Sequence, residues 1–127
     1  MAHLEYATVG SNALEQAKAF YDALFGSFGI TPAFDHPTGG RIYGKDGAFF
    51  FGVLGPFDKQ AATAGNGTMI GFRCEGPTEV DAFHTKALSL GAQDEGAPGY
   101  RAPQYYMSYF RDLDGNKLCA YAVLPNA

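Results

Sequence analysis

The sequence contains a repeated pattern, in which a strand, a helix and a group of short strands occur twice, and this repeat limits the folds that the chain can adopt. The first set occupies residues 3–55 and the second residues 68–124, and a polar connection without apolar periodicity joins them at residues 56–67. The repeat lies in the spacing of apolar and turn-forming residues rather than in the letters themselves. It predicts one structural module that is built twice within a single domain of residues 1–127.

Each half contains one segment whose apolar residues recur at steps of three and four, as on one face of a helix. In the first half this face comprises Leu14, Ala17, Tyr21, Leu24 and Phe28. In the second half it comprises Val80, Phe83, Ala87 and Leu90. His84 directly follows Phe83, so we expect it on the outer face of the second helix.

The remaining apolar runs are short and are separated by turn-forming residues, which indicates strands. The predicted strands are residues 4–9, 31–34, 41–44, 48–54, 68–74, 105–111 and 117–123. Residues 96–101 contain two glycines and a proline, so we expect an irregular loop there that serves as a lid beside a ligand site.

One helix and three or four strands in each half give each sheet one face that the helix covers and one face that is left over. We therefore predict an α+β fold of two βαβββ modules with curved mixed sheets. If the free faces of the two sheets turn toward each other, they form a cup-like cavity, which is the default place for a small ligand.

Composition excludes several classes of partner. A formal net charge of −4, with nine dispersed Lys and Arg residues, disfavours a nucleic-acid partner. No apolar run approaches the roughly 18 residues needed to span a bilayer, so we expect no membrane partner. The first residues lack the basic and apolar regions of a secretory signal, and the chain has only two cysteines. These features predict a reduced, cytoplasmic setting.

Four segments carry a family pattern in the expected order. Residues 19–26 resemble the form A-F-Y-x-x-x-L-G of a first helix, with Phe25 in place of the leucine. Residues 105–116 resemble the closing hairpin Y-Y-x-x-F-x-x-D-P-D-G-N, with Tyr109 in place of the phenylalanine and Leu113 in place of the proline. Residues 4–9 and 67–72 match the first strands of two modules. Together they resemble the vicinal-oxygen-chelate superfamily, which includes glyoxalases, bleomycin-resistance proteins and ring-cleaving dioxygenases. The resemblance covers nearly the whole chain and implies the fold predicted above.

Members of that superfamily typically chelate a divalent metal, and the resemblance places three of their ligand positions on this chain. The histidine of the pattern D-H-V-T-L falls on Tyr6, the histidine of T-H-I-A-F on Met69, and the glutamate of D-G-N-x-I-E on Cys119. A phenol, a thioether and a thiol are poor ligands for a hard divalent ion. We therefore expect neither a metal nor another cofactor, with a Cu(I) site of Met69 and Cys119 as a minor alternative.

Strand alternation predicts independently which side chains lie on the open side of the second sheet. The side chains expected on the face that the helix covers are Ile70, Phe72, Cys74, Leu118, Ala120 and Ala122. Those expected on the open side are Met69, Gly71, Arg73, Cys119 and Tyr121. The substituted ligand positions of this module thus fall on the side where a ligand would bind.

The predicted ligand-binding residues are Tyr6, Phe50, Met69, Arg73, Tyr105, Cys119 and Tyr121. Tyr43 and Tyr109 are further candidates for the aromatic lining. No catalytic residue is assigned, because the predicted topology places no histidine beside the Cys119 thiol. Arg73 either pairs with an anionic ligand or extends into solvent.

The preferred interpretation is a metal-free, glyoxalase/bleomycin-resistance-like protein that binds a small aromatic molecule. The alternative is a glyoxalase- or dioxygenase-type enzyme with altered metal ligation or with metal-independent acid–base chemistry through Tyr6, Arg73 and Cys119. A structural or interaction module is a third interpretation, because one scaffold can host many functions. The resemblance also implies a homodimer that covers the edge strands.

Overall fold

The computed structural model describes residues 1–125, which form two units, Met1–Ala64 and a second unit that begins at Gly65. Each unit contains one helix and one four-stranded mixed sheet. The predicted α+β class and the repeated βαβββ order are confirmed. The cup stays a prediction. Among the described residues, no helix is both long enough and apolar enough to cross a membrane.

In the first unit, strand β1 (Ala7–Gly10) leads into helix α1 (Leu14–Gly26), which is followed by β2 (Thr31–Asp35), β3 (Arg41–Lys45) and β4 (Ala48–Leu54). The strands lie in the order β1-β4-β3-β2, with β1 parallel to β4 and the other neighbours antiparallel.

The second unit repeats this arrangement with β5 (Ile70–Arg73), α2 (Pro77–Ser89), β6 (Gln93–Ala102), β7 (Tyr105–Arg111) and β8 (Lys117–Val123). Its strand order is β5-β8-β7-β6, and β5 runs parallel to β8. A proline at the first position of α2 suits the helix start, because its missing N–H would have no partner within the helix there.

Aromatic rings pack α1 onto one face of the first sheet. The Tyr21 and Phe51 ring centroids lie 5.0 Å apart, and those of Phe25 and Tyr43 lie 5.1 Å apart. The expectation that Tyr43 lines a ligand site is therefore wrong. Tyr43 pairs with Phe51 across β3 and β4, so both side chains lie on the helix side, and the Tyr43 hydroxyl donates to Asp22 Oδ1 at 2.7 Å.

The prediction that His84 lies on the outer face of α2 is also wrong. His84 is only 4% exposed, its ring centroid lies 6.0 Å from that of Phe110, and its Nε2 lies 3.3 Å from an Asp94 carboxylate oxygen. It follows Val80 by four residues and precedes Ala87 by three, so helical spacing places it beside two core residues.

The predicted lid, residues 96–101, is part of strand β6. The strand keeps its antiparallel pairing with β7 through three register shifts, and Tyr100 still pairs with Tyr106. Proline has no N–H to donate, and it is tolerated in β6 because β6 is an edge strand that pairs with a neighbour on one side only. The glycines and the proline thus mark irregularities in a strand rather than a loop.

Candidate functional site

The face of the second sheet that α2 does not cover is called here the open face. Phe72 and Cys74 are buried toward the helix, whereas Gly71 and Arg73 alternate onto the opposite side and are exposed. Paired residues of neighbouring strands lie on the same face. The register therefore defines the open face by the residues Gly71, Arg73, Tyr105, Met107, Tyr109, Arg111, Lys117, Cys119 and Tyr121.

Three tyrosines contribute most of the aromatic surface of the open face. Tyr105 is exposed, while Tyr109 and Tyr121 are half-buried. A Cβ at Gly71 would lie 3.3 Å from a ring carbon of Tyr121, so the absence of a side chain at Gly71 gives room to that ring. Tyr109 donates a hydrogen bond to Met107 Sδ at 3.5 Å. The structure thus brings Arg73, Tyr105, Cys119 and Tyr121 of the predicted set to one face.

The Cys119 thiol lies at the centre of this face, between Gly71 on β5 and Tyr109 on β7. It is only 1% exposed. Burial raises the pKa of Cys119 to about 11, and the Ser108 backbone N–H together with the charges of Arg101 and Lys117 opposes the shift only in part. This burial disfavours a role as a nucleophile, because the thiolate is the reactive form of cysteine.

Tyr6 and Met69 occupy equivalent places in the two units. Each lies immediately before the first strand of its unit, because β1 and β5 begin later than predicted. Tyr6 is 55% exposed, and Met69 is exposed as well. Neither residue is a donor that suits a hard divalent ion, and the thiol of Cys119 is neutral. Within residues 1–125, no group of three or more His, Cys, Asp and Glu side chains could hold a metal ion. The donors present do not fit the metal that the superfamily resemblance implies.

In the first unit, an exposed aromatic cluster consists of Tyr6, Phe34 and Phe49. The Tyr6 and Phe49 ring centroids lie 5.3 Å apart, and those of Phe34 and Phe49 lie 5.8 Å apart. Phe50, the residue predicted for the site, is half-buried at the point where the pairing of β3 with β4 shifts. The sequence prediction thus named Tyr6 but missed the two phenylalanines that contact or extend its ring cluster.

Two cations on or beside the open face, Arg101 and Lys117, were not among the predicted ligand-binding residues. Lys117 could have been found, because it precedes Cys119 by two residues in a strand and therefore shares its face. Arg101 could not, because residues 96–101 were expected to form a loop. Both side chains approach the ring of Tyr109, with Arg101 Cζ at 5.4 Å and Lys117 Nζ at 5.3 Å from its centroid.

Two four-stranded mixed sheets, each formed by a βαβββ unit and each carrying a helix on one face, define the class of protein. A glyoxalase/bleomycin resistance protein from Albidiferax ferrireducens has 39% sequence identity and a TM-score of 0.84, and the match covers 93% of this chain and 96% of that one. This chain belongs to the glyoxalase/bleomycin resistance family of the vicinal-oxygen-chelate superfamily.

More distant solved structures show the same fold. A fosfomycin resistance protein from Listeria monocytogenes has 17% identity and a TM-score of 0.71 over 96% of this chain and 94% of that chain. A lactoylglutathione lyase from Agrobacterium tumefaciens has 19% identity and a TM-score of 0.70 over the same shares of the two chains, 96% and 94%. No protein-family model matches the sequence, and no curated protein matches it. The fold is shared by a resistance protein and a lyase, so only the site residues can distinguish the functions.

Proposed function

We propose that this protein binds a small aromatic or amphipathic molecule on the open face of the second sheet without using a metal ion. The observation that carries this proposal is Cys119. The resemblance places a glutamate ligand of metal-binding relatives at this position, whereas the residue here is a buried thiol whose pKa is about 11. At this position the open face therefore lacks the carboxylate of the superfamily pattern, and the tyrosine rings around the buried thiol offer the surface on which a ligand can bind.

The surroundings of Cys119 suit a flat ligand. Tyr105 and Tyr121 offer aromatic rings together with hydroxyl groups on the same face. Stacking on one such ring contributes about 0.5–1.5 kcal/mol beyond the burial of area. Arg73, which pairs with Tyr121 across β5 and β8, can add a hydrogen bond to a charged group of about 1.5–3 kcal/mol if ligand binding removes it from water. Together with the burial of apolar area, these contributions support micromolar binding.

The enzyme alternative assigned metal-independent acid–base chemistry to Tyr6, Arg73 and Cys119. The raised pKa of Cys119 disfavours this assignment, because the thiol neither donates nor accepts a proton readily near neutral pH. The observations on the open face therefore favour binding over catalysis.

A thermal-shift screen of aromatic acids, phenols and amphipathic drugs tests the proposal. We expect several compounds to raise the melting temperature of the wild-type protein and to lose most of that effect in Tyr121→Ala and Arg73→Ala. Tyr6→Ala separately tests the contribution of the first unit. Lys45→Gln, which removes an exposed cation at the end of β3, is the matched control. Turnover of a hemithioacetal or a catechol without any binding hit would refute the proposal and favour the enzyme.

We also propose that the protein is a homodimer. Each sheet ends in strands with one unpaired side, β1 and β2 in the first and β5 and β6 in the second. Unpaired strand edges are usually covered in natural proteins, and a two-fold axis covers them with a single interface. Light scattering at micromolar concentration should give twice the chain mass of 13.6 kDa. A mass of one chain would contradict this part of the proposal.

A further inference from the structure

Positive charge is concentrated around one ring on an otherwise acidic protein. Arg101 Cζ and Lys117 Nζ lie 5.4 and 5.3 Å from the centroid of the Tyr109 ring. The chain as a whole carries a formal net charge of −4. The negative face of an aromatic ring attracts cations, so both charged groups pack on the Tyr109 ring, whose strand β7 lies between β6 and β8.

Arg101 is held in place by the local structure of β6. Its Nη2 donates a hydrogen bond to the backbone oxygen of Ala97 at 2.8 Å. A Cβ at Gly99 would lie 3.0 Å from Arg101 Nη1, and a Cβ at Gly96 would lie 3.2 Å from Nη2. Glycine at both positions therefore leaves the room in which the guanidinium lies along the strand. Although the residue is exposed, its charged group is oriented before any ligand binds.

Neither cation has an anionic partner in the part of the chain that the structure describes. Among residues 1–125, no carboxylate forms an ion pair with Arg101 or with Lys117. Lys117 is half-buried and lies directly opposite Arg111 in the register of β7 and β8, where two like charges repel. Glu95 compensates only Arg111, through a 2.7 Å contact to its Nε. An anion bound beside Tyr109, within reach of both cations, would relieve this excess of charge.

We propose that Arg101 and Lys117 bind the oxyanion group of a small organic acid whose aromatic body lies on the tyrosines of the open face. The inference rests on the proposed binding function and names the chemical class of its ligand. The planar guanidinium can donate two parallel hydrogen bonds to a carboxylate or a phosphate, and the ammonium adds a point charge from β8, on the other side of β7.

Three matched probes test the inference by isothermal titration calorimetry: 2-naphthoate, 2-naphthyl phosphate and the neutral 2-naphthamide. We expect the better of the two anions to bind the wild-type protein at least about ten-fold more tightly than the amide, because hydrogen bonds to charged groups have that magnitude. The ratio of the two anions distinguishes a carboxylate site from a phosphate site. Raising the salt concentration should weaken the binding of the two anions and leave the binding of the amide unchanged.

Substitutions identify the groups responsible. Arg101→Gln and Lys117→Gln should each weaken the preferred anion by about five- to ten-fold and leave the affinity for 2-naphthamide within about two-fold. Gly99→Ala, which keeps every charge but displaces the guanidinium, should weaken the anion by a smaller factor in the same direction. Lys45→Gln changes the net charge by the same amount outside the open face and should have no effect. Circular dichroism melting confirms that each variant is folded.

Equal affinities for the anions and the amide, with no loss in Arg101→Gln or Lys117→Gln, would overturn this inference and leave the proposed binding function intact. Failure of all three probes to bind, together with an unproductive thermal-shift screen, would overturn both. If Arg101→Gln and Lys117→Gln lowered the affinity for the anions and for the amide to the same extent, the cations would have a structural role, and this result would also overturn the inference.

Discussion

The open sides of the two sheets differ, although the two units share one strand order. The aromatic cluster of the first unit consists of exposed apolar rings, as in Phe34 and Phe49. The open face of the second unit combines tyrosine hydroxyls with Arg73 and Lys117. By contrast, the helix-covered faces are alike, because both are buried and mostly apolar. The helix-facing residues specify the fold, and the residues on the other side are free to specify a ligand.

The largest expected difference in the free energy of unfolding is between substitutions on the two faces of strand β4. Phe51→Ala removes a ring that is 1% exposed and packs on Tyr21, so it should lower the free energy of unfolding by about 3–5 kcal/mol. The nearby Phe49, which is 38% exposed, is the matched control, and Phe49→Ala should lower it by less than about 1.5 kcal/mol. Urea denaturation measures both. Equal losses would show that the exposed cluster of the first unit is part of a core.

A smaller effect concerns the two thiols of the second unit, which lie on opposite faces of its sheet. Burial raises the pKa of Cys74 to about 12 and that of Cys119 to about 11, from an ordinary value of 9.0. Because the folded-state pKa values are the higher ones, their stabilising contribution is complete below pH 9 and is lost as the pH rises toward 11 and 12. We expect the free energy of unfolding to fall by roughly 1–3 kcal/mol over this window.

The Cys119→Ala variant is the control for that pH dependence. Its free energy of unfolding should depend less steeply on pH between 9 and 11, which are the ordinary pKa of a cysteine thiol and the raised pKa of Cys119 in the folded protein. The wild-type thiols should also resist a disulfide reagent at pH 8 until the protein is unfolded. Rapid labelling of Cys119 in the folded protein would contradict its burial and would reopen the question of a nucleophile.

The smallest effect separates two tyrosines of the first unit that were both expected to line the ligand site. Tyr43→Phe removes a buried hydroxyl that donates to Asp22, so it should lower the free energy of unfolding by about 1–1.5 kcal/mol. Tyr6→Phe, at an exposed position, should change it by less than about 0.5 kcal/mol. If ligand affinity fell in Tyr43→Phe while stability did not, the helix side of the sheet would have to be reconsidered.

Much of the fold could be predicted from the sequence, because apolar spacing and turn residues determine the order of the elements. Alternation also predicted correctly that Phe72 and Cys74 face away from Gly71 and Arg73. The direction of Tyr43 could not be predicted, since it depends on its pairing with Phe51 and on the irregular pairing next to it.

Two further misses have a different physical origin. The helical period marks the centre of a buried face but not its width, so it did not reveal that His84 is buried between Val80 and Ala87. Glycine and proline can mark a bulged edge strand as well as a loop, and this ambiguity concealed Arg101 in β6. The part of the candidate site that depends on register was therefore the part that the sequence could not provide.

Binding without a metal at a position where the superfamily pattern has a metal ligand is tested most directly by the metal content of the purified protein. Plasma mass spectrometry after exhaustive dialysis should find well below one zinc, iron, manganese, nickel or copper ion per chain, in the wild-type protein and in Cys119→Ala alike. About one ion per wild-type chain, lost in Cys119→Ala, would contradict the account and would identify Cys119 as a metal ligand.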